Sequence, residues 1–428
     1  MTSELIQQAR VLDPVSHTDR MMDVLITDGR IAAIAPDPAS VPADVQRIDG
    51  AGCILAPGLV DLYSHSGEPG FESRETLLSL AEAAIAGGFT RVTLLPDTHP
   101  PLDTRGSVEG VRSQIDRTLS HLPIQIHWWG ALTQSIAGQQ MTELDDLIAA
   151  GVAGFADGRP IADMNLVQRI LEYLHPSPMP IALWGSHPKL GREGVVREGI
   201  EALRLGLPPV PITAETVPLV SLLECVETTQ TPIHLMRVST ARSVDLIREA
   251  KARGLPVTAS TTWMHVLLNI QAIASYDPSL RLDPPLGNPE DQAALLQGVE
   301  QGVIDAIAID HSPYTYEEKT VSFSEAPPGA IGYELALPLL WHHLVDSGQW
   351  DALTLWSRLS TNPALCLGQT PRAIAPGEWA ELILFKPDQT WTVSANALKS
   401  LSTNTPWLDQ VLSGRVVKTW CNLAGGCE

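Results

Sequence analysis

The apolar positions of this chain change their spacing twice. Up to about residue 56 they fall in short runs of strand character, Asp23-Val24-Leu25-Ile26 and Arg30-Ile31-Ala32-Ala33-Ile34, separated by Asp28-Gly29, a hairpin signal. Pro36, Pro38 and Pro42 then predict a loop. From Leu59 onward, strand-like runs alternate with stretches of helical spacing. The run Ile54-Leu55-Ala56-Pro57-Gly58-Leu59-Val60 has the length and branching of a buried strand, and residues 75–87 have helical spacing that ends on Gly87-Gly88. Arg91-Val92-Thr93-Leu94-Leu95 is the next strand, and comparable runs follow at 124–129, 154–156, 180–184, 233–238 (with a helix through Lys251), 257–259 and 304–309. Roughly eight such units in about 300 residues predict a (β/α)8 TIM barrel, whose chemistry would lie at the C-terminal ends of its strands. After about residue 370 the strand pattern returns, at 380–385 and 414–420. The two chain ends are thus expected to pair as one small β-sandwich domain, residues 1–56 with 370–428, beside a barrel of residues 57–369.

Composition narrows the classes. A 428-residue chain with 44% apolar residues can fill a large core. With 28 basic against 49 acidic residues its net charge is −21, which argues against nucleic acid or an anionic membrane as a partner. No run approaches the roughly 18 apolar residues of a membrane span, and the first residues lack the pattern of a signal peptide, so the expected location is cytoplasmic. Cys53, Cys225, Cys366, Cys421 and Cys427 are scattered, with no Cys-x-x-Cys spacing, and are read as reduced thiols.

The stretch Asp61-Leu-Tyr-Ser-His-Ser-Gly-Glu-Pro-Gly70 carries the candidate chemistry. Side chains two apart at the end of a strand point the same way, which is how a His-x-His pair grips one metal ion. Here the pair reads Tyr63-Ser64-His65, and a tyrosine is a poor ligand for the divalent ions such sites use.

Together with this layout, Pro57-Gly58-Leu59-Val60-Asp61, Glu68-Pro69-Gly70, Ala86-Gly87-Gly88-Phe89-Thr90, Leu95-Pro96-Asp97-Thr98, Val238-Ser239-Thr240, Asp283-Pro284-Pro285-Leu286, Ile309-Asp310-His311-Ser312-Pro313 and Ala326-Pro327-Pro328-Gly329 resemble, in order and over nearly the whole chain, the dihydroorotases of the amidohydrolase superfamily. The resemblance implies a two-metal centre built on a His-x-His pair, a carboxylate or modified lysine, two further histidines and a proton-moving aspartate. Carried onto this chain, His65 and Asp310 are kept and Asp157 stands for the bridging carboxylate. Tyr63, Trp184 and Arg237 replace the other three histidines. The resemblance also implies a substrate shell of an arginine, two asparagines and a histidine, at which this chain has Gly67, Asp97, Asp283 and Tyr314. Each of these changes removes a donor or adds a negative charge, where the family binds an anion.

Arg237 is expected to pair with Asp310 or Asp157, filling the vacated site with a cation. Bland roles fit several of the others: a hydrogen-bonded core histidine for His65, structural ones for His234, His265 and His311, and a cavity plug for Trp184. Two readings follow. In the first the chain is a catalytically inactive, oligomeric dihydroorotase-like protein of pyrimidine biosynthesis, without a cofactor, and a structural partner of aspartate transcarbamoylase, as the resemblance implies for inactive homologues. In the second it is an active zinc-dependent dihydroorotase or related cyclic amidohydrolase, with metal at His65, Asp157 and Asp310, and Asp310 as general base.

Overall fold

The computed structural model describes residues 3–35, 41–42 and 44–421; Pro36, Pro38 and Cys427 lie outside the described residues. Eight parallel strands follow one another around a barrel: Leu59–Ser64, Phe89–Leu94, Gln125–Gly130, Gly154–Phe155, Ala182–Trp184, Ile233–Met236, Val257–Thr262 and Ala306–Ala308. They pair as two four-stranded halves. A bridge between Phe155 and Ile181 joins the halves on one side. On the other, Asp310 N–H donates to Tyr63 O at 3.1 Å and His65 N–H to His311 O at 2.8 Å, so the seam closes at the very residues singled out from sequence. Asp61 reinforces that seam, one carboxylate oxygen accepting from Ile309 N–H and the other from the Ser64 and Tyr333 hydroxyls.

The barrel interior is filled by large and small residues in alternation: Val60, Leu62, Trp129 and Met236 pack among Ala182, Ala306 and Ala308, all buried. Trp129 would leave an indole N–H unpaired there, and it donates to Leu62 O at 2.9 Å. Outside, the helices bury their apolar faces on the strands. The first of them, Leu77–Ala86, starts at Thr76 in a capping box with Ser79, two residues later than the spacing predicts. Glu75 is left out of it because its carboxylate is buried against Ser79, Ser400 and Leu401 N–H.

The chain ends meet in a single sheet. Ser3–Asp13, Thr18–Thr27, Arg30–Ala35, Gln46–Asp49, Ile54–Pro57, Glu381–Thr392 and Val411–Cys421 form one seven-stranded sheet with a core of its own. Asp28 and Gly29, at φ 49° and 75°, make the hairpin turn. Glu381–Thr392 pairs antiparallel with Ile54–Pro57, and Glu381 then reaches the barrel, where Arg91 grips its carboxylate with two bonds of 2.7 Å. Cys53, Cys225, Cys366 and Cys421 are free thiols. Among the described residues, no helix is long and apolar enough to cross a membrane.

Candidate active site

The C-terminal ends of the strands surround a cavity of about 250 Å3 with Arg237 at its base. Arg237 follows the sixth strand and Asp310 the eighth. Both have left-handed backbones, φ 54° and 52°, which side-chain-bearing residues adopt only when their surroundings hold them there. The holding is mutual. Arg237 Nε donates to Asp310 Oδ2 at 2.9 Å and Nη2 to Oδ1 at 2.6 Å, a two-pronged pair in which the arginine side chain is only 4% exposed. Nη1 donates to Gly158 O at 2.8 Å, and the guanidinium carbon lies 4.9 Å from the centre of the Trp184 ring. The expected pairing is therefore with Asp310.

His65 sits between carboxylates. Its Nδ1 lies 2.7 Å from Asp97 Oδ2, and its Nε2 faces Asp310 Oδ1 at 3.6 Å and Arg237 Nη2 at 3.1 Å. The carboxylate favours a proton on Nε2 and the guanidinium a lone pair. Burial also disfavours a charged ring, but the charge of Asp97 and the hydrogen bonds to Asp310 and Asp97 outweigh it and raise the pKa to about 9. Burial likewise opposes ionisation of Asp310, yet the charge of Arg237 and the hydrogen bonds from His65 and Arg237 hold its carboxyl well below the usual range. A carboxylate so stabilised is a weak proton acceptor at neutral pH.

The remaining candidates face elsewhere. Asp157 Oδ1 accepts from Leu132 and Thr133 N–H at 2.7 and 3.0 Å, and its Oδ2 from the Thr133 hydroxyl at 2.5 Å, so both oxygens serve the loop after the third strand. The Tyr63 hydroxyl accepts from Arg237 N–H at 3.1 Å and bonds Ser260 Oγ at 2.9 Å. Ser260 in turn bonds His234, whose other nitrogen bonds Thr258. His265 bonds Thr262 and Pro284 O, and His311 accepts from Gly332 N–H.

Among the described residues, no group of three His, Cys, Asp or Glu side chains is placed to hold a metal ion. His65, Asp157 and Asp310 thus do not come together as a ligand set. A guanidinium nitrogen already contacts both His65 and Asp310, and the oxygens of Asp157 are committed to amides and a hydroxyl. These residues do not fit a metal pair.

On the substrate side, Asp97, Asp283 and Tyr314 all line the cavity, as does Gly67. Sequence reasoning treated Gly67 as a lost side chain, but the backbone has closed over the position. A Cβ there would meet the carbonyl of Glu75, lie 2.7 Å from its nitrogen and 2.8 Å from Phe71 O. It also missed Asp97 as the partner of His65, although both lie just past the ends of neighbouring strands. Arg74 was missed too: it bonds Glu318 and lies over the Phe71 and Tyr314 rings, at 4.4 and 4.8 Å.

The barrel with its chain-end sheet is a fold shared with solved hydantoinase and dihydropyrimidinase structures. L-hydantoinase from Arthrobacter aurescens superposes with a TM-score of 0.85 at 20% identity over 99% of this chain and 97% of that one. Dihydropyrimidinase from Brevibacillus agri gives 0.82 at 20% identity, covering 98% and 94%. Within that fold class, residues 52–170 match the dihydro-orotase-like family model. A probable dihydroorotase-like protein of Synechocystis is 46% identical over 97% of this chain and 99% of its own length, and the dihydroorotase of Pelobacter propionicus is 37% identical over 97% of each. The chain belongs to the dihydroorotase-like family.

Proposed function

We propose that this dihydroorotase-like protein does not catalyse ring opening or closure and acts through its surface, as a structural partner of aspartate transcarbamoylase in pyrimidine biosynthesis. The observation that carries the reading is the two-pronged Arg237–Asp310 pair: it sets a fixed cation among the residues left from a metal shell and takes from Asp310 the basicity a proton acceptor needs. The closed backbone at Gly67 supports it independently, because a cation for the substrate carboxylate cannot be added there without moving the loop. The partner comes from the resemblance, and its recognition would fall to exposed surface.

The test is an assay of the purified chain with dihydroorotate and with carbamoyl aspartate, with zinc added, beside the Tyr63→His, Trp184→His, Arg237→His triple variant. We expect no turnover above the uncatalysed rate and substoichiometric zinc on elemental analysis. Turnover that disappears in Asp310→Ala would overturn the reading. Co-migration with aspartate transcarbamoylase on sizing is the outcome expected for the partnership; independent migration of the two would remove it.

A further inference from the structure

The charges around the cavity pair off, with two left over. Arg237 is matched by Asp310, His65 by Asp97 and Arg74 by Glu318. Asp283 and Arg159 line the same cavity, are both exposed to it, and have no hydrogen-bond or ion-pair partner among the described residues. Arg281 and Arg237 act on Asp283 through space only. Asp283 lies in the segment between the seventh and eighth strands and Arg159 follows the fourth, so two unmatched charges of opposite sign line one cavity. In the same lining, Trp184 is 8% exposed and its indole N–H has no partner among the described residues. Asp97 Oδ1 is a second buried atom without one. Buried polar atoms are ordinarily satisfied, so these two mark a cavity wall whose own hydrogen bonding is incomplete.

We propose that the cavity takes a small zwitterion of amino-acid size, its cationic end on Asp283, its anionic end on Arg159 and its hydrocarbon part along Trp184. The lining charges explain the preference: a dianion would be held by Arg159 and repelled by Asp283, and a dication the reverse. The inference rests on the reading that this mouth no longer holds the dihydroorotate anion.

The test is calorimetric titration of the full chain with ω-amino acids of rising length (β-alanine, γ-aminobutyrate, 5-aminovalerate), against succinate and glutarate as dianions and putrescine and cadaverine as dications. One ω-amino acid should bind about tenfold or more tighter than the dianion and diamine of like length, a difference of about 1.4 kcal/mol. Asp283→Asn and Arg159→Gln should each lose about tenfold in affinity. Asp283→Lys should turn the preference to the dianion, an exchange that a merely structural role would not produce. No binding by any ω-amino acid, equal binding of all three classes, or affinity unmoved by these substitutions would overturn the proposal. Dihydroorotate turnover measured on the same preparation separates the two readings: turnover defeats the proposed function, while absent zwitterion binding without turnover defeats this inference alone.

Discussion

Arg237 is anchored by three hydrogen bonds, two to Asp310 and one to Gly158 O, with the His65 ring 3.1 Å from its Nη2. Removing one member of a buried ion pair leaves an uncompensated charge, so Arg237→Leu is expected to cost about 3–5 kcal/mol. Removing both members with Arg237→Leu/Asp310→Leu should restore most of that loss, since apolar replacements of buried pairs are often near neutral. Urea denaturation of the two variants checks both statements; a double variant as unstable as the single would show that the pair is not what couples them. His65 gives a pH signature. Its pKa, raised to about 9 in the fold from about 6.5 in the unfolded chain, means that its contribution is complete below about pH 6.5 and disappears as pH rises through 9. The ceiling is about 3 kcal/mol by the linkage relation. His65→Asn should flatten stability between those limits, measured as denaturation midpoints across the pH range.

At the scale of elements, the strands were legible because buried apolar runs in a barrel are hard to place elsewhere. The meeting of Arg237 with Asp310 was legible too, because every residue just past a strand's C-terminal end arrives at one mouth. Asp157 shows the limit of that logic. It lies past the fourth strand, but its oxygens turn to the amides of Leu132 and Thr133, and nothing local in Phe155-Ala156-Asp157-Gly158 announces which loop will claim them. The loop after the first strand was illegible for a similar reason. Its shape is set by long-range packing of Glu75 against Ser400 and Leu401, more than 300 residues away, and only in that packing does Gly67 come against the backbone of Glu75. Gly67→Ala is therefore expected to destabilise by about 1–3 kcal/mol, the usual cost of overpacking, and Gly67→Arg by more. Thermal unfolding of the alanine variant decides it, and an unchanged midpoint would mean that the loop yields freely.

At the scale of the whole molecule, the sheet of the chain ends cannot form until residues near both termini meet, and the strand pairing of 54–57 with 382–385 brings them together against the barrel. The joint is polar at its centre. The Arg91 and Glu381 side chains are only 7% and 6% exposed, Thr90 Oγ1 adds a 2.8 Å bond to the same carboxylate, and Gly58 N–H donates to Glu381 O at 3.1 Å. Barrel and sheet thus share a buried charge pair as well as this backbone hydrogen bond, and neither can leave without stranding the other's charge. We expect one cooperative unfolding transition, with circular dichroism and tryptophan fluorescence tracing the same curve. Glu381→Gln keeps the shape of the joint but leaves Arg91 without its counter-charge, and should cost about 3 kcal/mol. If the sheet were merely docked on the barrel, that substitution would instead split the transition in two, with fluorescence from Trp391 and Trp420 changing before the barrel signal. A single curve shifted as a whole would place the Arg91–Glu381 pair inside the cooperative core, and so tie the geometry of the barrel mouth to the integrity of the chain ends.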